Sequence, residues 1–408
     1  MPGKSLSNFF EDYINREPIF TNKKALQAQY KPKTIPHRQK EIDMLAKILA
    51  PVLRQEKPSN VFIYGKTGTG KTVTIMHVSD EISKVAEKNK LPVKIIYLNC
   101  KLKRVADTEY RLIADLTNKL GGNVPATGLP TDEVYKQFLK LLEEKGFKLV
   151  IILDEIDQIV KKIGDGLLYN MMRINSELKY SEISIIGISN ELKFTEYIDP
   201  RVKSSLSEEE LLFAPYNAVQ IQTILKERSK EACRDGVIRE GVIEMCAALA
   251  AKEHGDARMA LELLRIAGEI AERKNKDYIS IEDLNEANDT FERDTVVEWI
   301  SAQPKHSKIV LLSIMNIDKE KANSNGPKAP YFTGDIYEVY KEICSKFKTS
   351  PLTQRRISDL IAELDQAGII NAKLVSKGRY GRTRQIRLDI GPSTLPKIEK
   401  ILMEGLQL

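Results

Sequence analysis

The sequence has few cysteines and histidines and no long run of apolar residues. Its four cysteines form no CxxC pair and its four histidines are scattered, which disfavours a zinc site and a disulfide framework. Apolar runs such as 149–153 end at charged residues, whereas a membrane-spanning helix needs about 20 apolar residues. Residues 1–18 carry acids where a signal peptide would need an apolar stretch. We therefore expect a cytoplasmic protein that is not inserted in a membrane.

Size and charge predict several domains, one of which faces a polyanion. The chain has 408 residues, of which 42% are apolar and 29% charged. At about 150 residues per domain, this length predicts two or three domains. Residues 295–408 hold 18 Lys and Arg against 12 Asp and Glu, while the remaining residues hold 45 of each. A positive excess confined to one segment is typical of nucleic-acid contact.

Apolar strands alternate with helical stretches in the first half of the chain. The candidate strands are 61–64, 93–98, 149–153, 183–188 and 210–213. This alternation predicts a parallel α/β sheet. From residue 217 to about 293 the apolar periodicity is helical throughout. The polar segment 318–332, with one Gly and two Pro, is predicted to be a loop inside the last domain.

One segment after the first strand matches the P-loop motif GxxxxGK[ST]. It consists of Gly65, Lys66, Thr67, Gly68, Thr69, Gly70, Lys71 and Thr72. A strand precedes the segment and a helix follows it, which is the context that this motif requires. Its backbone N–H groups would surround phosphate oxygens, Lys71 would reach the β- and γ-phosphates, and Thr72 would coordinate Mg²⁺. The alternative is an ordinary glycine turn between a strand and a helix.

Polar side chains also follow two later strands. The strand 149–153 leads into Asp154 and Glu155, and the strand 183–188 leads through Ser189 to Asn190. Ligands of open α/β sheets lie at the carboxyl ends of strands. Asp154 would hold the magnesium, Glu155 would orient or deprotonate the attacking water, and Asn190 would contact the γ-phosphate or that water. The alternatives are an apolar strand that happens to end in acids and a turn asparagine.

Two arginines lie in first helical turns, where a cation opposes the helix dipole. Asp256 is a predicted N-cap, so Arg258 falls in the first turn of the helix that follows. Asp199 is likewise a predicted N-cap and Pro200 the first helical residue, so Arg201 also falls in a first turn. Local conflicts of this kind are expected at functional sites. Arg258 is a candidate for γ-phosphate contact in cis, and Arg201 for an arginine finger toward a neighbouring subunit. The alternative is two surface arginines in solvent or ion pairs.

The C-terminal residues 333–389 are predicted to form two helices and a hairpin. Thr353 is a predicted N-cap, and the helix after it has one apolar face. Residues 371–388 hold six basic residues and no acid, as expected for a β-wing on DNA phosphates. This pattern predicts a winged helix-turn-helix with the helix in the major groove. A solvated basic hairpin is the alternative. The candidate DNA contacts are Thr353, Gln354, Arg355, Arg356, Lys377, Arg379, Tyr380, Arg382 and Arg384.

With these residues the chain resembles, over essentially its full length, the archaeal replication initiators of the AAA+ class. That family is related to origin recognition complex subunit one and cell division control protein six. The matching blocks, besides the P-loop, are 30–38, 99–100, 153–157, 199–205, 215–216, Arg228, 255–258, 351–356 and 378–384. The resemblance implies a fold with an AAA+ RecA-like parallel sheet domain, an all-α lid domain and a C-terminal winged helix-turn-helix domain. The implied boundaries are 1–204, 205–292 and 293–408.

The resemblance also implies partners and further site residues. ATP or ADP with Mg²⁺ would bind between the sheet domain and the lid, flanked by Tyr30, His37, Arg38, Tyr216 and Arg228. A helical insertion near 101–121 would touch DNA, with Lys101, Lys103 and Arg104 as candidate phosphate contacts. The implied partners are double-stranded origin DNA, the minichromosome maintenance helicase and other initiator copies on the nucleoid.

Three other functions are compatible with a nucleotide site and a DNA-binding C-terminal region. One is a nucleotide-gated transcription regulator acting at promoters. Another is an AAA+ motor or transposition-type ATPase, which would need ATP-dependent oligomers. In the third, the nucleotide is only a structural cofactor between sheet and lid. For the initiator, we expect weak ATP hydrolysis that acts as a slow switch.

Overall fold

A computed structural model describes residues 14–101, 108–192, 194–323, 331–376, 382–390 and 395–406. Within these ranges it describes all side chains except those of residues 195, 292–295, 321–323, 374, 376 and 382. The chain divides into two units, Met1–Ala287 and Asn288–Leu408. Of the helices in the described ranges, none has the length and apolarity needed to cross a membrane.

The first unit contains a five-stranded parallel sheet in the order β2–β3–β4–β1–β5. Its strands are β1 Val61–Tyr64, β2 Val93–Asn99, β3 Lys148–Asp154, β4 Glu182–Ser189 and β5 Glu209–Leu212. All five strands were predicted from the sequence, and their ends differ from the prediction by at most one residue. The register pairs Asn99 with Asp154 and Tyr64 with Ser189, so the carboxyl ends of β1 to β4 meet at one edge.

Helices cover both faces of this sheet. They are α1 Gln39–Leu49, α2 Lys71–Lys88, α3 Glu109–Lys119, α4 Thr131–Lys145, α5 Ile156–Ile163, α6 Gly166–Arg173 and α7 Pro200–Leu206. Strand β3 shows why both faces are covered: Val150 and Ile152 pack with α1 and α2, while Leu149, Ile151 and Leu153 pack with helices on the other face. A strand buried on both faces appears as a continuous apolar run.

After the sheet, from Ala218 onward, the first unit is mainly helical, as the sequence predicts. Its helices are α8 Ala218–Ala232, α9 Val242–Lys252, α10 Ala257–Arg273 and the start of α11 Ile281–Ala302, within which the division into units falls. Asn217 and Gln220 form a capping box at α8. The Asp256 carboxylate caps α10 by accepting from the backbone N–H of Arg258 and Met259. These caps fix where the two helices begin.

A fully buried carboxylate holds the start of α11. Asp283 has no exposed surface and accepts from Lys276 Nζ at 2.8 Å, Ser280 Oγ at 2.8 Å and the Ser280 backbone N–H at 3.1 Å. Burial by itself raises the pKa of Asp283, but the hydrogen bonds from Lys276 and Ser280 outweigh burial and leave this pKa below its usual value. The ionised carboxylate therefore stabilises the folded state.

Replacing Asp283 with Asn should lower the free energy of unfolding by about 2 kcal/mol at pH 7, because charged hydrogen bonds are lost from a buried site. A lowered folded-state pKa means that this stabilisation is present above the unfolded pKa of about 3.9 and is lost as the pH falls below it. Denaturant unfolding at pH 7 and pH 3 measures the effect, with exposed Glu253→Gln as the control. An equal loss at both pH values would contradict the assignment.

The second unit is a winged helix. A three-stranded antiparallel sheet in the order β6–β8–β7 consists of β6 Tyr331–Phe332, β7 Ile370–Ser376 and β8 Arg382–Leu388. Its helices are α12 Lys305–Asn323, α13 Thr333–Lys346, α14 Gln354–Gln366 and α15 Leu395–Leu406. The predicted apolar face of α14 is confirmed: Ile357, Leu360, Ile361 and Leu364 are buried.

The loop predicted over residues 318–332 is wrong at both ends. Helix α12 continues to Asn323, and Tyr331–Phe332 forms β6, where Tyr331 pairs with Ile386. The start of the segment includes good helix formers such as Lys, Glu and Ala, and the polar side chains of Lys319 and Glu320 are exposed on the helix. Residues 324–330 lie outside the described residues.

Candidate functional site

The P-loop connects β1 to α2 and touches the helical region after the sheet. Gly68 and Gly70 have φ of 72° and 89°, in the left-handed region that favours glycine. A Cβ on Gly68 would lie 1.7 Å from Asp256 Oδ1, and one on Gly70 would lie 2.6 Å from the Tyr216 hydroxyl. The backbone N–H of Ala257 also donates to Gly68 O at 3.3 Å. Glycine is therefore favoured at both positions by the turn, and at Gly68 also by the close approach of Asp256 at the start of α10.

Lys71 brings a buried cation into the loop. Its side chain is 5% exposed, and Nζ donates to the carbonyls of Gly65 and Lys66, each at 2.7 Å. Burial, and after it the positive charge of Arg258, lowers the pKa of Lys71 to about 8. A buried lysine with a second cation, the exposed Arg258, close enough to lower its pKa favours an anion bound beside them.

Three hydroxyl and amide donors hold the Asp154 carboxylate. Oδ2 accepts from Thr72 Oγ1 at 2.9 Å and from the Tyr97 hydroxyl at 2.7 Å, and Oδ1 accepts from Glu155 N at 3.0 Å. Asp154 is 7% exposed. A hydroxyl and a carboxylate in contact are oxygen ligands of the kind that Mg²⁺ prefers, so Thr72 and Asp154 fit the predicted metal site.

Sequence reasoning missed Tyr97, which lies two residues before the end of β2. Burial and the neighbouring Asp154 charge raise the pKa of Tyr97, so the phenol stays protonated and acts as a donor. The only available signal was its position: Tyr97 and Asn99 share a face of a strand that ends beside the acidic strand.

Glu155 and Asn190 follow β3 and β4 at the same sheet edge. Glu155 is the N-cap of α5 and has φ of 56°, a left-handed conformation that is uncommon for a residue other than glycine. Such backbone strain is concentrated at functional sites. Asn190 is exposed, and both side chains line the cavity described below.

Arg38 ties three segments together beneath the P-loop. It is 4% exposed, and Nε donates to Thr69 O and to the Tyr216 hydroxyl, each at 3.0 Å. Nη1 donates to Glu41 at 2.7 Å and Nη2 to Ala214 O at 2.5 Å. The guanidinium also stacks on the Tyr216 ring, 4.1 Å from its centroid. Arg38 thus links the start of α1 and the P-loop to the segment that enters α8.

A cavity of about 480 Å³ runs along the sheet edge and beneath α8 and α10. This volume suits a ligand the size of a nucleotide. The residues predicted for the nucleotide site that line it are Tyr30, Gly68, Gly70, Thr72, Asp154, Glu155, Asn190, Tyr216, Arg228 and Arg258. Its described lining does not include Gly65, Thr67, Thr69, Lys71, His37, Arg38 or Arg201.

The far end of the cavity is an aromatic and cationic platform. The Arg228 guanidinium lies 4.4 Å from the centroid of the Tyr30 ring, and the Tyr30 hydroxyl donates to Glu231 Oε2 at 2.5 Å. Arg228 is 7% exposed, and burial lowers its pKa. Its Nη2 donates to Gln27 O at 3.3 Å, while Nε has no hydrogen-bond partner among the described residues. The platform suits a flat, polar ring system.

Arg201 lies outside this cavity. The cap is confirmed: the Asp199 carboxylate accepts from Arg201 N at 2.8 Å, with Pro200 opening α7. The same carboxylate accepts from Arg201 Nε at 3.0 Å and Nη2 at 2.9 Å, and these bonds lower the pKa of Asp199 to about 2. The guanidinium lies 4.9 Å from the centroid of the Tyr169 ring and its side chain is 71% exposed. Arg201 therefore presents an exposed cation away from its own cavity.

In the second unit, α14 presents the polar residues predicted for DNA contact. Thr353, Gln354, Arg355 and Arg356 are exposed, and Thr353 Oγ1 caps the helix by accepting from Arg356 N at 3.4 Å. Arg356 Nη1 lies 3.8 Å from Asp359 and 3.9 Å from Glu363. The first turn of α14 is thus an exposed, cationic surface.

The hairpin adds basic residues on both of its faces. Arg384 is half-buried and shares a face of β8 with buried Ile386. Arg387 and Lys373, which were not among the predicted contacts, are exposed on the opposite face. In the first unit, Lys101 is exposed just after β2. Other predicted contacts lie outside the described residues or side chains: Lys103, Arg104, Lys377, Arg379, Tyr380 and Arg382.

Three family models match the chain, and the first two overlap over residues 222–240. Residues 37–240 match an ATPase domain predominantly from Archaea, residues 222–289 match a Cdc6 AAA+ ATPase-type lid domain, and residues 298–397 match the C-terminal winged helix domain of CDC6. Together with the parallel sheet, the helical region and the winged helix, these matches confirm the predicted fold class.

Proteins similar over nearly their whole length are replication proteins. The chain is 50% identical over 402 residues to an ORC1-type DNA replication protein of Thermococcus onnurineus, covering 98% of this chain and 95% of the relative. It is 51% identical over 397 residues to the protein of that name in Thermococcus kodakarensis, covering 96% and 94%. Among solved structures, the Aeropyrum pernix ORC1 protein in complex with DNA is 43% identical, with a TM-score of 0.79, covering 95% of this chain and 98% of that one.

Proposed function

This chain belongs to the archaeal Orc1/Cdc6 family of DNA replication initiators, which carry an AAA+ ATPase domain, and on that premise we propose how it acts. It binds ATP with Mg²⁺, binds double-stranded DNA at replication origins, and helps recruit and load the minichromosome maintenance helicase. ATP hydrolysis is a slow switch between states. The observation that carries the proposal is the contact between Thr72 and Asp154 beside the P-loop, in a chain that also has a basic winged helix.

The proposed domains are 1–204 for nucleotide binding, 205–292 for the lid and 293–408 for DNA. In the nucleotide site, the P-loop backbone surrounds the phosphates, and Lys71 and Arg258 balance their charge. The platform of Tyr30 and Arg228 takes the base. Arg38 and Tyr216 act by holding the P-loop against the lid.

Hydrolysis needs a water held in line with the γ-phosphate. The water oxygen forms a bond to the γ-phosphorus while Glu155 accepts a proton from that water. The bond between the γ-phosphorus and the bridging oxygen of the β-phosphate breaks, which gives ADP and phosphate. Asn190 orients the same water. Mg²⁺, held by Thr72 and Asp154, would neutralise charge on the β- and γ-phosphate oxygens. Arg201 does not line the described cavity of its own chain, so a single chain lacks this cation beside the γ-phosphate during hydrolysis. This supports slow turnover by the single chain.

DNA contact is assigned to the first turn of α14, the wing and the insertion near residues 101–121. We assign base contacts to the exposed Arg355 and Arg356, and phosphate contacts to the half-buried Arg384 and the exposed Lys101. The Aeropyrum pernix ORC1 protein in complex with DNA supports DNA binding by this chain. We propose that the protein works on nucleoid DNA together with other initiator copies.

Replacing Arg384 with Ala should weaken binding to all duplexes about equally. The slope of log binding constant against log salt concentration should become shallower by the amount of about one phosphate contact.

Replacing Arg355 with Ala should instead cost about 1–3 kcal/mol of discrimination between the preferred and a scrambled duplex. Anisotropy titrations of both duplexes at several salt concentrations separate the two effects. The control is Lys400→Ala, which removes an exposed cation from α15. Unchanged discrimination in Arg355→Ala would refute its role at base edges.

Mapping binding sites by crosslinking and immunoprecipitation, beside a map of replication starts, tests the proposed function. Peaks at replication starts are expected. Peaks confined to promoters would instead favour a transcription regulator. A featureless map would contradict origin recognition by this chain alone.

A further inference from the structure

Tyr97 is the member of the Asp154 cluster that the proposed reaction does not use. It lies on β2, while Thr72 belongs to α2 and Asp154 ends β3. The register pairs Tyr97 with Ile152 and Asn99 with Asp154, so the phenol on β2 reaches diagonally to a residue of the adjacent strand β3. Only a long side chain spans this diagonal distance. The hydroxyl donates to Asp154 Oδ2 at 2.7 Å, the shortest of the three bonds that this carboxylate accepts.

The three donors to Asp154 differ in what they can do when a cation binds. The Thr72 oxygen would become a ligand of Mg²⁺ while its hydroxyl still donates its proton to Asp154 Oδ2. A neutral phenol is not an oxygen that Mg²⁺ prefers, so the hydroxyl of Tyr97 stays a hydrogen-bond donor. Tyr97 therefore fixes the orientation of the carboxylate whether or not a cation is present.

We propose that Tyr97, which also lines the cavity, is a positioning residue for the magnesium site and sets Mg²⁺ affinity through Asp154. The inference rests on the proposed function, because it assumes that Thr72 and Asp154 hold Mg²⁺ beside a nucleotide. Partners that orient a metal ligand affect metal affinity by about 10–100-fold when they are removed. Nucleotide affinity without Mg²⁺ depends on the P-loop, the lid and the base platform, whereas the described hydrogen bond of the Tyr97 hydroxyl goes to Asp154.

The test is Tyr97→Phe, which removes the hydroxyl and keeps the ring. Mg²⁺ is titrated into the full chain with a fluorescent ADP analogue, and binding of the analogue is measured separately in EDTA. The matched control is Tyr135→Phe. Tyr135 also donates to a carboxylate at 2.7 Å, that of Glu109, and does not line the described cavity. Thermal melts in EDTA check that each variant is folded.

We expect Tyr97→Phe to bind Mg²⁺ about 10–100-fold more weakly, with unchanged affinity for the analogue in EDTA and no change in Tyr135→Phe. Mg²⁺ affinity within twofold of the unaltered chain would overturn the proposal. So would an equal loss of analogue affinity with and without Mg²⁺, because it would mean a general packing role. If the unaltered chain binds no analogue in either condition, the proposed nucleotide site fails and the inference fails with it.

Discussion

Replacing Glu155 with Gln is expected to lower the rate of ATP hydrolysis by about 100-fold or more, with ATP affinity nearly unchanged. A positioned general base contributes about 10²–10⁴-fold to such a reaction. Gln has the shape of Glu but cannot accept the proton from the attacking water. Glu155 follows β3, has a left-handed backbone and lines the cavity, and the P-loop hydrogen bonds described above do not involve its side chain.

Single-turnover hydrolysis and equilibrium ATP binding separate the two quantities for Glu155→Gln. The control is Glu177→Gln, an exposed acid of the same unit that does not line the described cavity. A variant that binds ATP and hydrolyses it at the original rate would assign the base to another group. Loss of ATP binding would show that Glu155 supports the site and not the chemical step.

The sheet and the P-loop could be predicted from sequence because their signals are local. A buried strand such as Lys148–Asp154 is an uninterrupted apolar run, and the P-loop is one contiguous motif. The first turn of α14 was equally predictable, since its cap and its apolar face lie within a dozen residues. Each of these features is specified by neighbours along the chain.

Contacts between distant segments could not be predicted in this way. Arg38 was expected near the nucleotide, yet its partners, Thr69 and Tyr216, belong to segments far along the chain. Tyr97 looked like one more aromatic residue in a strand, and only the register of β2 against β3 brings it to Asp154. The secondary structure of a polar stretch such as 318–332 is ambiguous for another reason. The exposed face of a helix and a loop can both consist of polar residues, and here the helix continues to Asn323.

Replacing Arg201 with Ala is expected to abolish the concentration-dependent part of ATP hydrolysis, a loss on the order of 10³-fold where copies associate. Arg201 is exposed, stacks on Tyr169 and does not line the described cavity of its own chain. If it completes the site of a neighbouring copy, the rate per chain should rise with protein concentration in the unaltered protein and stay flat in the variant. Arg173→Ala is the matched control, because Arg173 also contacts Tyr169 and is exposed.

Mixing two inactive variants decides between action in trans and in cis. A chain with Arg201→Ala keeps an intact cavity, and a chain with Glu155→Gln keeps an intact arginine. If Arg201 acts in trans, the mixture contains interfaces at which the intact cavity of one chain faces the intact arginine of the other, so hydrolysis returns. If Arg201 acts in cis or only stabilises α7, no pairing repairs either defect, and the mixture stays as slow as its components. Recovery in the mixture therefore requires that the arginine and the cavity come from different copies.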